Sequence, residues 1–158
     1  SSDLSMKQVT PFQVNSFMLF KLPAAYICGV RLRAIDQNSA RVTVRHRWIN
    51  QNPFRSMFWA VQGMAAELAC GMLVMQAVRN QSRSISMLLV GTQAQFTKKA
   101  TGCIEFVCLD GAVAKSGVEQ SLTQSQGVQF ELNVVGKDAK GDIVSEFTFN
   151  WSVKARAI

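Results

Sequence analysis

At 158 residues, with 48% hydrophobic and 17% charged content, the chain is long enough to bury a core and too apolar for a disordered one. One domain, residues 1–158, is the default for this length. Seventeen basic against ten acidic residues leave a net charge of +7, which favours polyanionic partners; the basic residues form no Lys/Arg block and carry no RNA-binding aromatic signature, so nucleic acid is not expected among them.

The opening SSDLSMKQVT has no basic region followed by an apolar one, so no secretory signal is expected. Thr10 before Pro11 has the chemistry of an N-cap followed by Pro at N1. Phe12, Val14, Phe17, Met18, Phe20 and Leu22 then recur in a helical rhythm. The pattern predicts a helix over 11–22, ended by Pro23. Next, AYICGVRLRAID and ARVTVRHRW read as two extended strands with a turn at Gln37-Asn38-Ser39. Arg31 and Arg33 on one strand, with Arg41, Arg45 and Arg47 on the other, read as a solvated sheet face. His46 alternates in phase with Val42, Val44 and Trp48, which makes it a hydrogen-bonded residue on the core side.

The next stretch, NQNPFRSMFWAVQGMAAELACGMLVMQAVRNQ (residues 50–81), carries one formal charge between Arg55 and Arg79, namely Glu67. It predicts a long helix over about 56–79, apolar on nearly every side, with Ser56 as its N-cap candidate. Glu67, Gln62 and the many Ala and Gly residues argue for a buried core helix, and no membrane span is expected. An ionised carboxylate among Met64, Ala66, Leu68 and Met75 is costly unless paired or hydrogen-bonded. Burial raises its pKa, which suits a general base near neutral pH. The alternative is a structural Glu, paired with an Arg or placed at a dimer interface. Gln62 reads as a packing or interface group.

Beyond this helix, residues 86–97, 101–109, 127–136 and 143–154 have strand composition, and 112–124 a short helix or structured connection. The last strand is the clearest: Ile143, Ser145, Phe147, Phe149, Trp151 and Val153 share one face. Strands so close in sequence pair antiparallel, and their apolar face needs a cover. The expected class is α+β, a strongly curved antiparallel sheet around one central helix. Cys28, Cys70, Cys103 and Cys108 show no CxxC or CxxH spacing. No zinc or other metal site is therefore expected, and reduced thiols fit a cytoplasmic setting.

This order of elements, together with residues 50–81, resembles the hotdog fold. Within it the chain resembles a thioesterase-like group related to the phenylacetyl-CoA and 4-hydroxybenzoyl-CoA thioesterases. The likeness in fold spans almost the whole chain. The likeness in motif lies in NPFRSMFWAVQGMAAELACG, with support from AQFTKKATG. In those relatives a His-Gly-Gly turn opens the central helix and an acid stands nine residues after the His. Here Phe58, Trp59 and Ala60 occupy the turn, and Glu67 stands nine residues after Phe58. An amide seven residues before the first turn Gly corresponds to Asn52. A hydroxyl residue that some relatives carry four positions after the acid corresponds to Gly71.

The resemblance implies Glu67 as base or nucleophile, the Trp59 and Ala60 amides as an oxyanion site, and Asn52 orienting the thioester carbonyl. Lys98 and Lys99 would lie near coenzyme A phosphates, the alternative being a solvated strand end, and Met57, Phe58 and Met64 would line an acyl channel, the alternative being the core. No cofactor is implied beyond the coenzyme A of the substrate. Trp59 and Glu67 are eight residues apart, hence about 12 Å along one helix, too far to share one thioester. A site using both requires two antiparallel helices, so a homodimer or a dimer of dimers is expected. The function expected is an acyl-CoA hydrolase. The competing readings are a non-catalytic acyl-CoA or fatty-acid binder and, with His46, a 3-hydroxyacyl thioester dehydratase.

Overall fold

A computed structural model describes residues 8–158; the expectation about a leader falls largely on residues 1–7, outside the described part. Helix α1 (Pro11–Lys21) opens with a reciprocal capping box. The Thr10 hydroxyl accepts from the Gln13 N–H at 3.2 Å, and the Gln13 side chain accepts from the Thr10 N–H at 3.1 Å. Val14 and Met18 face inward. Pro23 does not simply end this helix: it occupies N1 of a second one, α2 (Pro23–Ile27), where its missing N–H costs nothing. The segment expected to extend from Ala25 is therefore helical first. A left-handed Gly29, at φ +92°, then turns it into strand β1 (Arg31–Ile35).

Strand β2 (Ala40–Arg45) returns antiparallel to β1 through a turn held by Asp36, whose carboxylate accepts from the Asn38 and Ser39 N–H groups at 2.7 and 2.8 Å. Those two bonds pull the Asp36 pKa below its ordinary value. The strand stops at Arg45, so Trp48 falls in a short 3-10 turn and is exposed, contrary to its reading as a core residue. His46 is half-buried and its Nε2 has no hydrogen-bond partner among the described residues, so it is not the satisfied core histidine expected.

The long helix α3 (Trp59–Arg79) begins three residues later than Ser56, and Phe58 is its N-cap. It is followed by β3 (Ile85–Phe96), β4 (Cys103–Cys108), α4 (Gly111–Ser121), β5 (Val128–Lys137) and β6 (Ile143–Ala155). The six strands form one antiparallel sheet in the order β1-β2-β4-β5-β6-β3. Alternate residues Val42 and Val44 on β2, Ile104 and Phe106 on β4, and Phe149 and Trp151 on β6 are buried on one face. Helix α3 fills the concavity they create. It is long and apolar enough to cross a membrane by composition, but two thirds of that stretch (67%) is buried inside the fold, as befits a core helix. This is the curved sheet around a central helix that the resemblance implies.

Candidate active site

The chain segment leading into α3 is tied to itself by one side chain. Asn52 Oδ1 accepts from the Phe54 N–H (2.9 Å), the Ser56 N–H (3.2 Å) and the Ser56 hydroxyl (3.2 Å). Its Nδ2 donates to Ser56 Oγ (3.0 Å) and the Met57 carbonyl (3.3 Å). Ser56, read as an N-cap, is spent on this loop. Inside the loop, Arg55 adopts φ 60°, the left-handed region unfavourable to a residue with a Cβ, and it is the one non-glycine to do so among the described residues. Local strain of this kind is retained where surrounding bonds over-determine the conformation, and the Asn52 network does so here.

The loop delivers an uncapped helix end. Phe58, in extended conformation, offers no side-chain acceptor to the first turn of α3. Its carbonyl accepts from the Val61 and Gln62 N–H groups at 3.0 and 3.3 Å. The N–H groups of Trp59 and Ala60 have no protein partner among the described residues. Aligned peptide dipoles add the equivalent of about half a positive charge at that end. The result is a site for a developing negative charge, built entirely from backbone.

Trp59, the first residue of this helix end, lines a cavity of about 520 Å³ walled also by Asn52, Met57, Phe58, Gln62 and the segment Phe96–Ala100. Six residues singled out by sequence thus converge on one space: Asn52, Met57, Phe58, Trp59, Lys98 and Lys99. Lys98 is held by two carboxylates, Asp138 at 2.6 Å and Asp142 at 2.8 Å, whose hydrogen bonds push its pKa up. Among the described residues, Lys99 Nζ reaches only the Phe54 carbonyl, at 3.4 Å. Gln62, which sequence reasoning left as a packing group, is 4% exposed, and its Oε1 is buried with no partner among the described residues. The spacing could have found it, since position 62 is one helical turn beyond Trp59.

Ala60, Met64 and Glu67 do not line that cavity. With Gly71, Met75 and Val78 they form a half-buried stripe along α3, recurring every three or four residues on one side of the helix. Glu67 takes part in no ion pair or side-chain hydrogen bond among the described residues, and burial alone raises its pKa. A Cβ at Gly71 would stand 3.3 Å from the Trp151 ring, so the missing side chain there serves close packing of helix on sheet. One residue earlier, Cys70 accepts the Trp151 indole N–H at 3.3 Å. Burial pushes the Cys70 thiol far up and the Cys108 thiol to about 11, which makes both inert packing groups.

The fold is the hotdog fold found in thioesterases. Three solved structures share it at low identity. Protein PA5026 of Pseudomonas aeruginosa, described as of unknown function and a probable thioesterase, is 18% identical over 93% of this chain and 97% of its own, with a TM-score of 0.78. Thioesterase HI1161 of Haemophilus influenzae is 10% identical over 95% and 94%, with a TM-score of 0.70. A mutant of thioesterase PA1618 of P. aeruginosa is 12% identical over 95% and 97%, with a TM-score of 0.71. By sequence, the chain belongs to the family defined by a domain of unknown function, DUF4442, which matches residues 12–153. No curated protein matches it.

Proposed function

We propose that the protein is a thioester hydrolase acting on acyl-CoA, with each site shared by two subunits. The observation that carries this reading is the open N-terminus of α3. Its Trp59 and Ala60 N–H groups have no partner among the described residues and Trp59 lines a largely apolar cavity, while the same helix presents an unpaired, half-buried carboxylate at Glu67. A thioester carbonyl oxygen set against the two amides gains stabilisation as it becomes an oxyanion. The acyl chain then runs along Met57, Phe58 and, on the half-buried stripe, Met64.

Glu67 removes a proton from a water molecule as the hydroxide adds to the acyl carbon. The tetrahedral oxyanion collapses, the C–S bond breaks, and the thiolate of coenzyme A takes the proton back from the Glu67 carboxyl group. In the covalent variant the carboxylate attacks directly, expelling the thiolate, and water hydrolyses the mixed anhydride. Both routes balance as carboxylic acid plus free thiol. Within this scheme Asn52 acts chiefly by fixing the loop that positions the amides, since its own polar atoms are already bonded. Gln62 is the free amide available to the substrate.

The separation of Trp59 from Glu67 supports the dimer. So do the half-buried stripe on α3 and the sheet edge at β3, where residues 90–96 are exposed and pair on one side only. Two such edges and stripes brought together around a two-fold axis would set Glu67 of one subunit against the helix N-terminus of the other. The test is thiol release from short, long and aromatic acyl-CoAs by wild type and Glu67→Gln. We expect turnover in the wild type and a loss of roughly 10²–10⁴-fold in the variant. Equal rates in both would remove Glu67 from the chemistry; acyl-CoA that still raised the melting temperature would then mark a binder.

A further inference from the structure

The convex face of β1 and β2, turned away from α3, carries charge that the active site does not use. Arg31, Arg33, Arg45 and Arg47 line a second concavity of about 400 Å³, with Asn15 of α1 at its side. Two of these guanidinium groups are held in place. Arg31 Nη1 donates to the Tyr26 and Val30 carbonyls, both at 2.8 Å, and its guanidinium lies 3.5 Å over the Tyr26 ring. Arg33 sits at a bulge in β1, and its Nε donates to Thr43 Oγ1 at 2.8 Å.

Among the described residues no carboxylate lies within ion-pair distance of any of the four. The neighbouring Arg41, by contrast, is matched with Glu105 at 3.0 Å. Like charges crowded on one sheet face are unfavourable, so this unpaired set calls for an anion from outside.

The surroundings say which kind. Phe12 and Leu19 stand three residues before and four after Asn15, hence on the same flank of α1, and both are exposed. Ile27 projects two residues before Gly29, which also lines the concavity. Trp48 and Ile49 follow Arg47 directly, and Trp48 is 82% exposed. Large apolar side chains beside unpaired arginines match the chemistry of an anionic lipid surface, where the apolar groups enter the acyl boundary and the guanidinium groups meet phosphate. A second copy fits poorly, because a two-fold interface would press two arginine clusters together. Nucleic acid fits poorly as well, because Leu19, Ile27 and Ile49 have no base-stacking role.

We infer that this face, centred on Arg31, Arg33, Arg45 and Arg47 and fringed by Phe12 and Trp48, docks the protein peripherally onto anionic membranes. The test is co-sedimentation of the full chain with phosphatidylcholine vesicles, with and without phosphatidylserine, at low and high salt. The expected result is binding to the anionic vesicles alone, weakened by salt. Each of Arg33→Gln and Arg45→Gln should weaken it roughly fivefold. Trp48→Ser should weaken it while leaving the salt dependence in place. Lys115→Gln, on α4 and outside the patch, removes the same charge and should have little effect. Binding to neither vesicle, equal binding to both, or an equal loss in Lys115→Gln overturns the proposal. So does tighter binding to a duplex DNA oligonucleotide than to anionic vesicles.

Discussion

Gln62 and Gln76 are the same residue on the same helix, 4% and 3% exposed, and they meet opposite fates. The Gln76 Oε1 accepts from the Val9 N–H at 3.2 Å, and its Nε2 donates to the Asp36 carbonyl at 3.0 Å. It fastens the N-terminal segment and the β1–β2 turn onto the core helix. Gln62 makes no side-chain hydrogen bond to the described protein and borders the cavity at the other end of α3. Buried polar groups are normally satisfied, and of the five described side-chain atoms that are not, the Gln62 Oε1 is the one whose residue lines this cavity. The helix ends repeat the contrast: α1 is closed by a capping box, whereas α3 starts on a phenylalanine and leaves its amides free.

The largest effect expected from this contrast lies at the open end of α3. Trp59→Pro deletes one amide N–H yet keeps the helix, because Pro is favoured at N1 and Phe58 already has the extended ψ of 134° that a following proline requires. Thiol release should fall by about 10²–10³-fold. Trp59→Ala keeps the N–H and should retain most of the rate. Similar losses in both variants would assign the role to the indole.

The glutamine pair separates stability from function. Gln76→Leu strands the Val9 N–H and the Asp36 carbonyl, each worth about 1–3 kcal/mol, and should lower the melting temperature by several degrees. Gln62→Leu strands no group among the described residues, so the variant's stability should hold or rise while kcat/KM falls. A destabilised Gln62→Leu would place that side chain with the structural group and dissolve the contrast.

The smallest effect concerns pH. Burial raises the Glu67 pKa above its ordinary 4.5, so the folded state holds that proton more tightly than the unfolded state. Stability from this source is complete below about pH 4.5 and is lost as pH rises through the folded-state value. Glu67→Gln cannot ionise, so its melting temperature should gain on wild type as pH rises from about 4 to about 7. A gap that stays constant with pH would mean that Glu67 has an ordinary pKa.

Much of the fold was legible because its signals are local and periodic. The alternating β6 residues and the unbroken apolar run of α3 each have one physical solution, and four late strands close in sequence pair antiparallel. What sequence could not supply depends on contacts across the chain. Pro23 is as compatible with starting a helix as with ending one, and only the left-handed Gly29 fixes where β1 begins. Trp48 follows the β2 alternation in sequence, but the strand ends before it. At the site, six residues named from sequence share one cavity, while Glu67 stands apart on the half-buried stripe. The engagement of Asn52 by its own loop and the isolation of Gln62 were not readable, since both depend on which partners the folded loop brings within bonding distance.

If one helix N-terminus and the Glu67 of a second subunit make a single site, mixing two differently disabled subunits restores it. Trp59→Pro and Glu67→Gln, each inactive alone, would be mixed under exchange conditions and assayed for thiol release. A shared site predicts that hybrids regain one intact site of two, so a random mixture recovers about a quarter of wild-type activity. Activity no greater than the sum of the two separate variants, with hybrid formation verified, would contradict it.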